Sequence, residues 1–122
     1  MTVRELYEKI DGNYDHAVQI MMMDKMIEKY LQKLADSDVC DVLREAGASM
    51  DPADLFESAH AMKGVCANLG LDSLAAMVGE ITEEYRPETG RRLSDAEVKA
   101  KLEDVYAAFD KTIAGIREYQ TI

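Results

Sequence analysis

The chain has no tryptophan, and only two phenylalanines, two prolines and two cysteines among its 122 residues. So few prolines leave long helices unbroken. Cys40 and Cys66 fall inside helical patterns with no partner at metal-ligand spacing, so both read as buried free thiols. No apolar run approaches the roughly 18 residues of a membrane span. The charged start, Met1-Thr2-Val3-Arg4-Glu5, lacks the apolar core of a signal segment. A cytoplasmic location is the resulting expectation. Basic charge is scarce as well: 14 Lys and Arg stand against 24 Asp and Glu, a net charge of −10. Nucleic-acid binding needs a basic footprint, and an anionic membrane surface would repel this chain. Basic protein partners are allowed. No glycine-rich phosphate loop occurs, so the chain is not expected to bind ATP or to act as a self-contained kinase.

What remains is an ordinary globular composition, 48% apolar and 31% charged. The length suits one domain, residues 1–122, with a modest core. Eight methionines make that core adaptable.

The patterning is helical throughout. A short helix spans about Val3 to Ile10, stopped by Asp11-Gly12-Asn13. A second pattern runs from Tyr14 to about Leu34, with Ile20, Met23, Ile27, Tyr30 and Leu34 on one face. Asp24 offers a cap, so a break near Met22 is possible. Asp36-Ser37-Asp38 interrupts or kinks the chain. Val39, Val42, Leu43 and Ala46 resume the period, and Gly47 is the expected stop. Asp51-Pro52 is a strong helix start, and that helix should run to about Leu69, with Gly70 ending it. Another spans about Asp72 to Tyr85, carrying Leu71, Leu74, Val78, Ile81 and Tyr85 on one face. Residues 86–92 form the clearest loop. Ser94 and Glu97 make a capping box for a last helix, which reaches about Tyr119 with Val98, Leu102, Val105, Phe109, Ile113 and Ile116 inward. Long amphipathic helices with short connections predict an all-α, up-down-up-down four-helix bundle with a short extra N-terminal helix.

The chemistry concentrates on the Pro52 helix. At about 100° per residue, Leu55, Ala59, Met62, Cys66 and Leu69 share the core side. His60 lies about 140° from Leu55 on the same arithmetic and is expected to meet solvent. Glu57, Gly64, Ala67 and Asn68 share its side. Phe56, one turn earlier, is an apolar residue left outside the core, fit to rim a docking surface. Phe56, Glu57, Ala67 and Asn68 are therefore the candidate partner-binding residues.

Gly64 stands one turn beyond His60. Glycine inside a helix costs about 1 kcal/mol relative to alanine, but here it removes a side chain that would crowd the imidazole. Lys63, three residues on, is placed to offset charge on a phosphoryl group. Neutral imidazole has a free nitrogen lone pair near neutral pH and forms covalent intermediates. His60, Lys63 and Gly64 are thus the candidate catalytic residues, for phosphoryl transfer. His16 has no such companions and reads as structural or solvated.

These residues resemble the histidine phosphotransfer domain family. Its pattern is His-x-(Leu or similar)-Lys-Gly, five residues, Gly, and a Leu a few places later. The chain has His60-Ala61-Met62-Lys63-Gly64, Gly70 and Leu74. Ala46, Asp51, Leu55 and Ala59 match the family's lead-in. Met62 replaces the usual leucine and keeps an apolar contact. The resemblance covers about Tyr14 to Ile116, sharpest in its central third. It implies a phosphorelay intermediate without cofactor. His60 would exchange a phosphoryl group with aspartates of receiver domains, in response regulators or hybrid histidine kinases. Lys63 would stabilise charge and Gly64 would give access. Magnesium would belong to the receiver. A monomer acting alone is the simplest expectation.

Other readings lack their partner residues. Glu57-x-x-His60 has di-iron spacing, but Asn13 precedes His16 where a second motif would need a glutamate. Asp36-Ser37-Asp38 hints at a calcium loop, but Asp41 stands at its glycine position and Gly47 at its glutamate position. No metal site is expected. The alternative from another class is a helical adaptor that binds signalling proteins without carrying phosphate; it has no need of His60 or Lys63.

Overall fold

A computed structural model describes residues 1–121. The described residues form seven helices: α1 (Val3–Lys9), α2 (Tyr14–Met21), α3 (Asp24–Asp36), α4 (Val39–Ser49), α5 (Pro52–Asn68), α6 (Asp72–Glu84) and α7 (Asp95–Gln120). Helices α4, α5, α6 and α7 close a ring, each packing on two of the others. The expected all-α four-helix bundle is the result. The 26-residue α7 is its spine, packing on α6 and α4 of the ring and also on α3 and α1.

Local chemistry sets most boundaries. Thr2 and Glu5 form a capping box at α1, and Ser94 and Glu97 form another at α7, with backbone-to-side-chain bonds of 2.9 to 3.1 Å. Asp51 caps α5 by accepting from the Asp54 N–H at 3.0 Å, ahead of Pro52 at the first turn. Gly70 ends α5 with φ +68°. Its N–H donates to the Ala67 carbonyl, and that of Leu71 to Cys66, which closes the Schellman pattern.

In the N-terminal third the second pattern takes its broken form. The stretch from Tyr14 to Leu34 is two helices, broken at Met22, whose φ is +76°. Met23 takes the cap position with no side-chain bond, and Asp24 instead accepts from the Tyr14 hydroxyl. The break shifts the helical phase. Ile27, Leu31 and Leu34 are buried, while Ile20 and Met23 are 41% and 56% exposed rather than inward. Nor does Gly47 end α4, which continues to Ser49 and turns at Met50 in the left-handed region. Gly47 faces α7 instead. A Cβ there would lie 2.5 Å from the Tyr106 hydroxyl and 3.1 Å from Leu102 Cδ1, so its absence lets two helices approach.

The core runs along the ring interior. Leu55, Ala59, Met62 and Cys66 of α5 are fully buried, against Leu43 of α4, Val78 and Ile81 of α6 and Val105 of α7. Burying one such leucine or methionine stabilises the fold by about 1.5–3 kcal/mol. Cys40 and Cys66 are free and buried, and burial pushes the Cys66 thiol up to about 12. The Tyr7 hydroxyl donates to the Leu69 carbonyl at 2.7 Å, tying α1 to the end of α5. His16 Nδ1 lies 2.7 Å from Asp72 Oδ1 and links α2 to α6. Of the two readings for His16, structural or solvated, this contact fits the first, although its side chain is still 37% exposed.

Candidate functional site

With one face of α5 buried, the opposite face is left to solvent. His60 is exposed there, as the helical arithmetic requires. Helical side chains lean toward the N-terminus of their own helix. His60 therefore leans over the turn that carries Phe56. The two rings stack with centroids 5.6 Å apart and planes 13° from parallel. A side chain at position 64 would lean over His60 in the same way. Gly64 has none, and a Cβ built there meets nothing within 4 Å.

Lys63 is half-buried and turns toward α6. Its aliphatic stem and ammonium lie over Gly79, where a Cβ would sit 3.5 Å from Cε and 3.8 Å from Nζ. Among the described residues Lys63 has no carboxylate within ion-pair distance. The Glu83 carboxyl, on α6, is held below the usual range. The cause is chiefly Arg86, which donates to it from Nε at 3.0 Å and from Nη2 at 2.8 Å; Lys63 and His60 add to the effect. The Arg86 guanidinium carbon lies 5.5 Å from the centroid of the Phe56 ring.

The other candidates differ in their surroundings. Glu57 is exposed and Ala67 is half-buried. Asn68 is exposed and lines an apolar groove of about 650 Å³, together with Ile20, Met21, Met26, Val65 and Leu69. Lys63 borders a second groove of about 710 Å³ with Gly79, Glu80, Glu83, Arg92 and Lys101. The loop walling this second groove is fastened by Glu84, whose carboxylate accepts from Arg91 Nε at 2.6 Å and from the Arg92 and Leu93 N–H groups at 3.1 Å each.

Sequence reasoning missed Gly79, Glu83, Arg86 and the apolar wall of Ile20, Met26 and Val65. The glycine inside the α6 pattern was a legible signal for a close approach. The apolar wall was hidden because Ile20 and Met23 satisfied an inward period that the Met22 break cancels.

Among the described residues no group of three or more His, Cys, Asp or Glu is placed to hold a metal ion, and no helix is long and apolar enough to cross a membrane.

Comparison with known proteins agrees with the geometry. A family profile described as Hpt domain matches residues 25–112. The sensory/regulatory protein RpfC of Xanthomonas campestris pv. campestris, in two strains, is 32% identical over 91 residues. That stretch is 71% of this chain but only 12% of theirs, so the chain corresponds to a small part of those relatives. No solved structure matches it. The match over residues 25–112, most of the chain, shows that the chain belongs to the Hpt domain family, the phosphocarrier domains of two-component signalling.

Proposed function

We propose that His60 is the phosphoryl carrier and exchanges its group with receiver-domain aspartates in a phosphorelay. The observation that carries this reading is the open turn at Gly64 beside the exposed imidazole. A nitrogen lone pair of the neutral ring attacks the phosphorus of an aspartyl phosphate. The N–P bond forms as the P–O bond to the aspartate breaks, and the carboxylate leaves with the bonding pair. The ring gains positive charge and then gives the proton on its other nitrogen to water. Return transfer reverses these steps. Phosphoryl transfer depends on positioning and charge neutralisation more than on acid–base work by the protein. Lys63 supplies the nearby cation and has no carboxylate partner to displace. Gly64 leaves room for the receiver. Magnesium belongs to the receiver's acidic pocket, and this chain contributes no cofactor.

The receiver docks around this strip, touching Phe56, Glu57, Ala67 and Asn68. The apolar groove beside Asn68 extends the surface and supports that placement, since protein interfaces have apolar cores and polar rims. Residues 1–122 act as one monomeric carrier domain without kinase activity, in the cytoplasm where receivers reside. The test is incubation with a phosphorylated receiver. Acid-labile, base-stable label should appear on the wild type and disappear in His60→Gln. Equal labelling of the two proteins would overturn the assignment. A receiver that binds but never labels the wild type would mark an adaptor instead.

A further inference from the structure

An exposed imidazole on a helix is ordinarily free to change rotamer. His60 is not left alone in this way. Its ring lies nearly parallel to that of Phe56, at a centroid distance within the range of favourable aromatic pairs. Phe56 is half-buried, and the Arg86 guanidinium lies over its ring within cation–π range. That guanidinium is itself held by two hydrogen bonds to Glu83. The succession Glu83, Arg86, Phe56, His60 thus reaches from the end of α6 to the candidate nucleophile on α5.

We infer that Phe56 and Arg86 are positioning residues that fix the plane of the His60 ring. The inference rests on the reading of His60 as the carrier and specifies how its nitrogen is aimed. The lone pair of an imidazole nitrogen lies in the ring plane. An in-line displacement at phosphorus therefore requires that plane to be oriented, not merely exposed. Phe56 stacks against one face of the ring, so it does not itself cover the ring edge that carries the nitrogens. When the N–P bond forms and the ring becomes cationic, the π-face of Phe56 lies against the new charge, a favourable arrangement. Arg86 keeps Phe56 from turning away, and Glu83 keeps Arg86 in place. Phe56 therefore acts from beneath the nucleophile as well as at the rim of the docking surface.

The chain has two histidines, so the ring protons can be followed by proton–carbon NMR on the whole chain, with His16→Gln identifying the His60 signals. Protons stacked on an aromatic face are displaced upfield. The His60 ring protons should show that displacement in the wild type, lose it in Phe56→Leu and keep it in Phe56→Tyr. In Arg86→Met it should shrink. Labelling is measured in parallel with phosphoramidate, a small donor that needs no docking surface. It should slow about three- to tenfold in Phe56→Leu, the scale of a modest misplacement of a reacting group, and recover in Phe56→Tyr. Identical His60 shifts in the wild type and Phe56→Leu would overturn the proposal, as would unslowed labelling of Phe56→Leu. Undiminished displacement in Arg86→Met would overturn the part given to Arg86. Displaced ring signals in a wild type that no donor labels would instead overturn the carrier reading.

Discussion

Lys63 lies across the bare backbone of Gly79, so a cation from the histidine helix rests on the neighbouring helix at the place where a side chain is missing. A methyl group there would make only ordinary van der Waals contact with the lysine, at 3.5 Å. Gly79→Ala should therefore leave phosphotransfer unchanged and raise stability by about 1 kcal/mol through helix propensity. Gly79→Gln would occupy the lysine's resting place. Transfer should slow while the melting temperature holds, and Lys63→Met should slow it similarly. Thermal melts and labelling rates check the series; full-speed transfer by Gly79→Gln would refute the role of that contact.

Two glycines of the motif have opposite duties. Gly64 faces open space, so Gly64→Gln should keep or gain up to about 1 kcal/mol of stability while slowing transfer. Gly70 sits at φ +68°, and a Cβ there would lie 2.5 Å from the Asn13 carbonyl oxygen. Gly70→Ala should lose more than about 1 kcal/mol, because both the backbone conformation and the contact with α2 resist it. Denaturant unfolding of the two variants, with labelling of the folded protein, separates access from architecture. The reverse pattern would contradict this division.

Acid should loosen the loop before α7. Burial pushes the Glu84 carboxyl up, but the bonds from Arg91 and from the Leu93 and Arg92 N–H groups outweigh it and leave it below the usual carboxylate range. A folded-state value below the unfolded one gives stability that is fully present above the ordinary carboxylate range and lost as pH falls through the folded value. Glu84→Gln should cost about 1.5–3 kcal/mol at neutral pH, on the scale of hydrogen bonds to a charged group. The difference from wild type should shrink as the medium becomes acidic. Unfolding curves at several pH values measure this, and a pH-independent difference would count against the mechanism.

The apolar groove should matter to the receiver and not to the imidazole. Val65 is 39% exposed at its wall. Val65→Glu should leave the fold within about 0.5 kcal/mol, as surface changes usually do. Labelling by phosphoramidate should be untouched. The receiver concentration giving half-maximal transfer should rise about tenfold, equivalent to about 1.4 kcal/mol of docking energy. Equal receiver dependence in both proteins would move the docking surface elsewhere.

The sequence by itself determined what is local and periodic. The capping boxes, the Asp51-Pro52 start, the Gly70 stop and the inward face of α5 all depend on residues within a few positions of one another. For that reason the exposure of His60 and the openness at Gly64 were legible without a structure. The Met22 break was foreseen only as a possibility, and its consequence was not: one left-handed residue shifts the phase and turns Ile20 and Met23 outward. Gly47 looked like a helix stop because a bare residue has that meaning within one helix; only the arrival of Tyr106 from α7 gives it another. The same holds for Gly79 under Lys63 and for Arg86 over Phe56. A helix's own periodicity states which face is buried, but the contacts that place a lysine or hold a ring come from residues distant in sequence, and the tertiary structure alone brings those together.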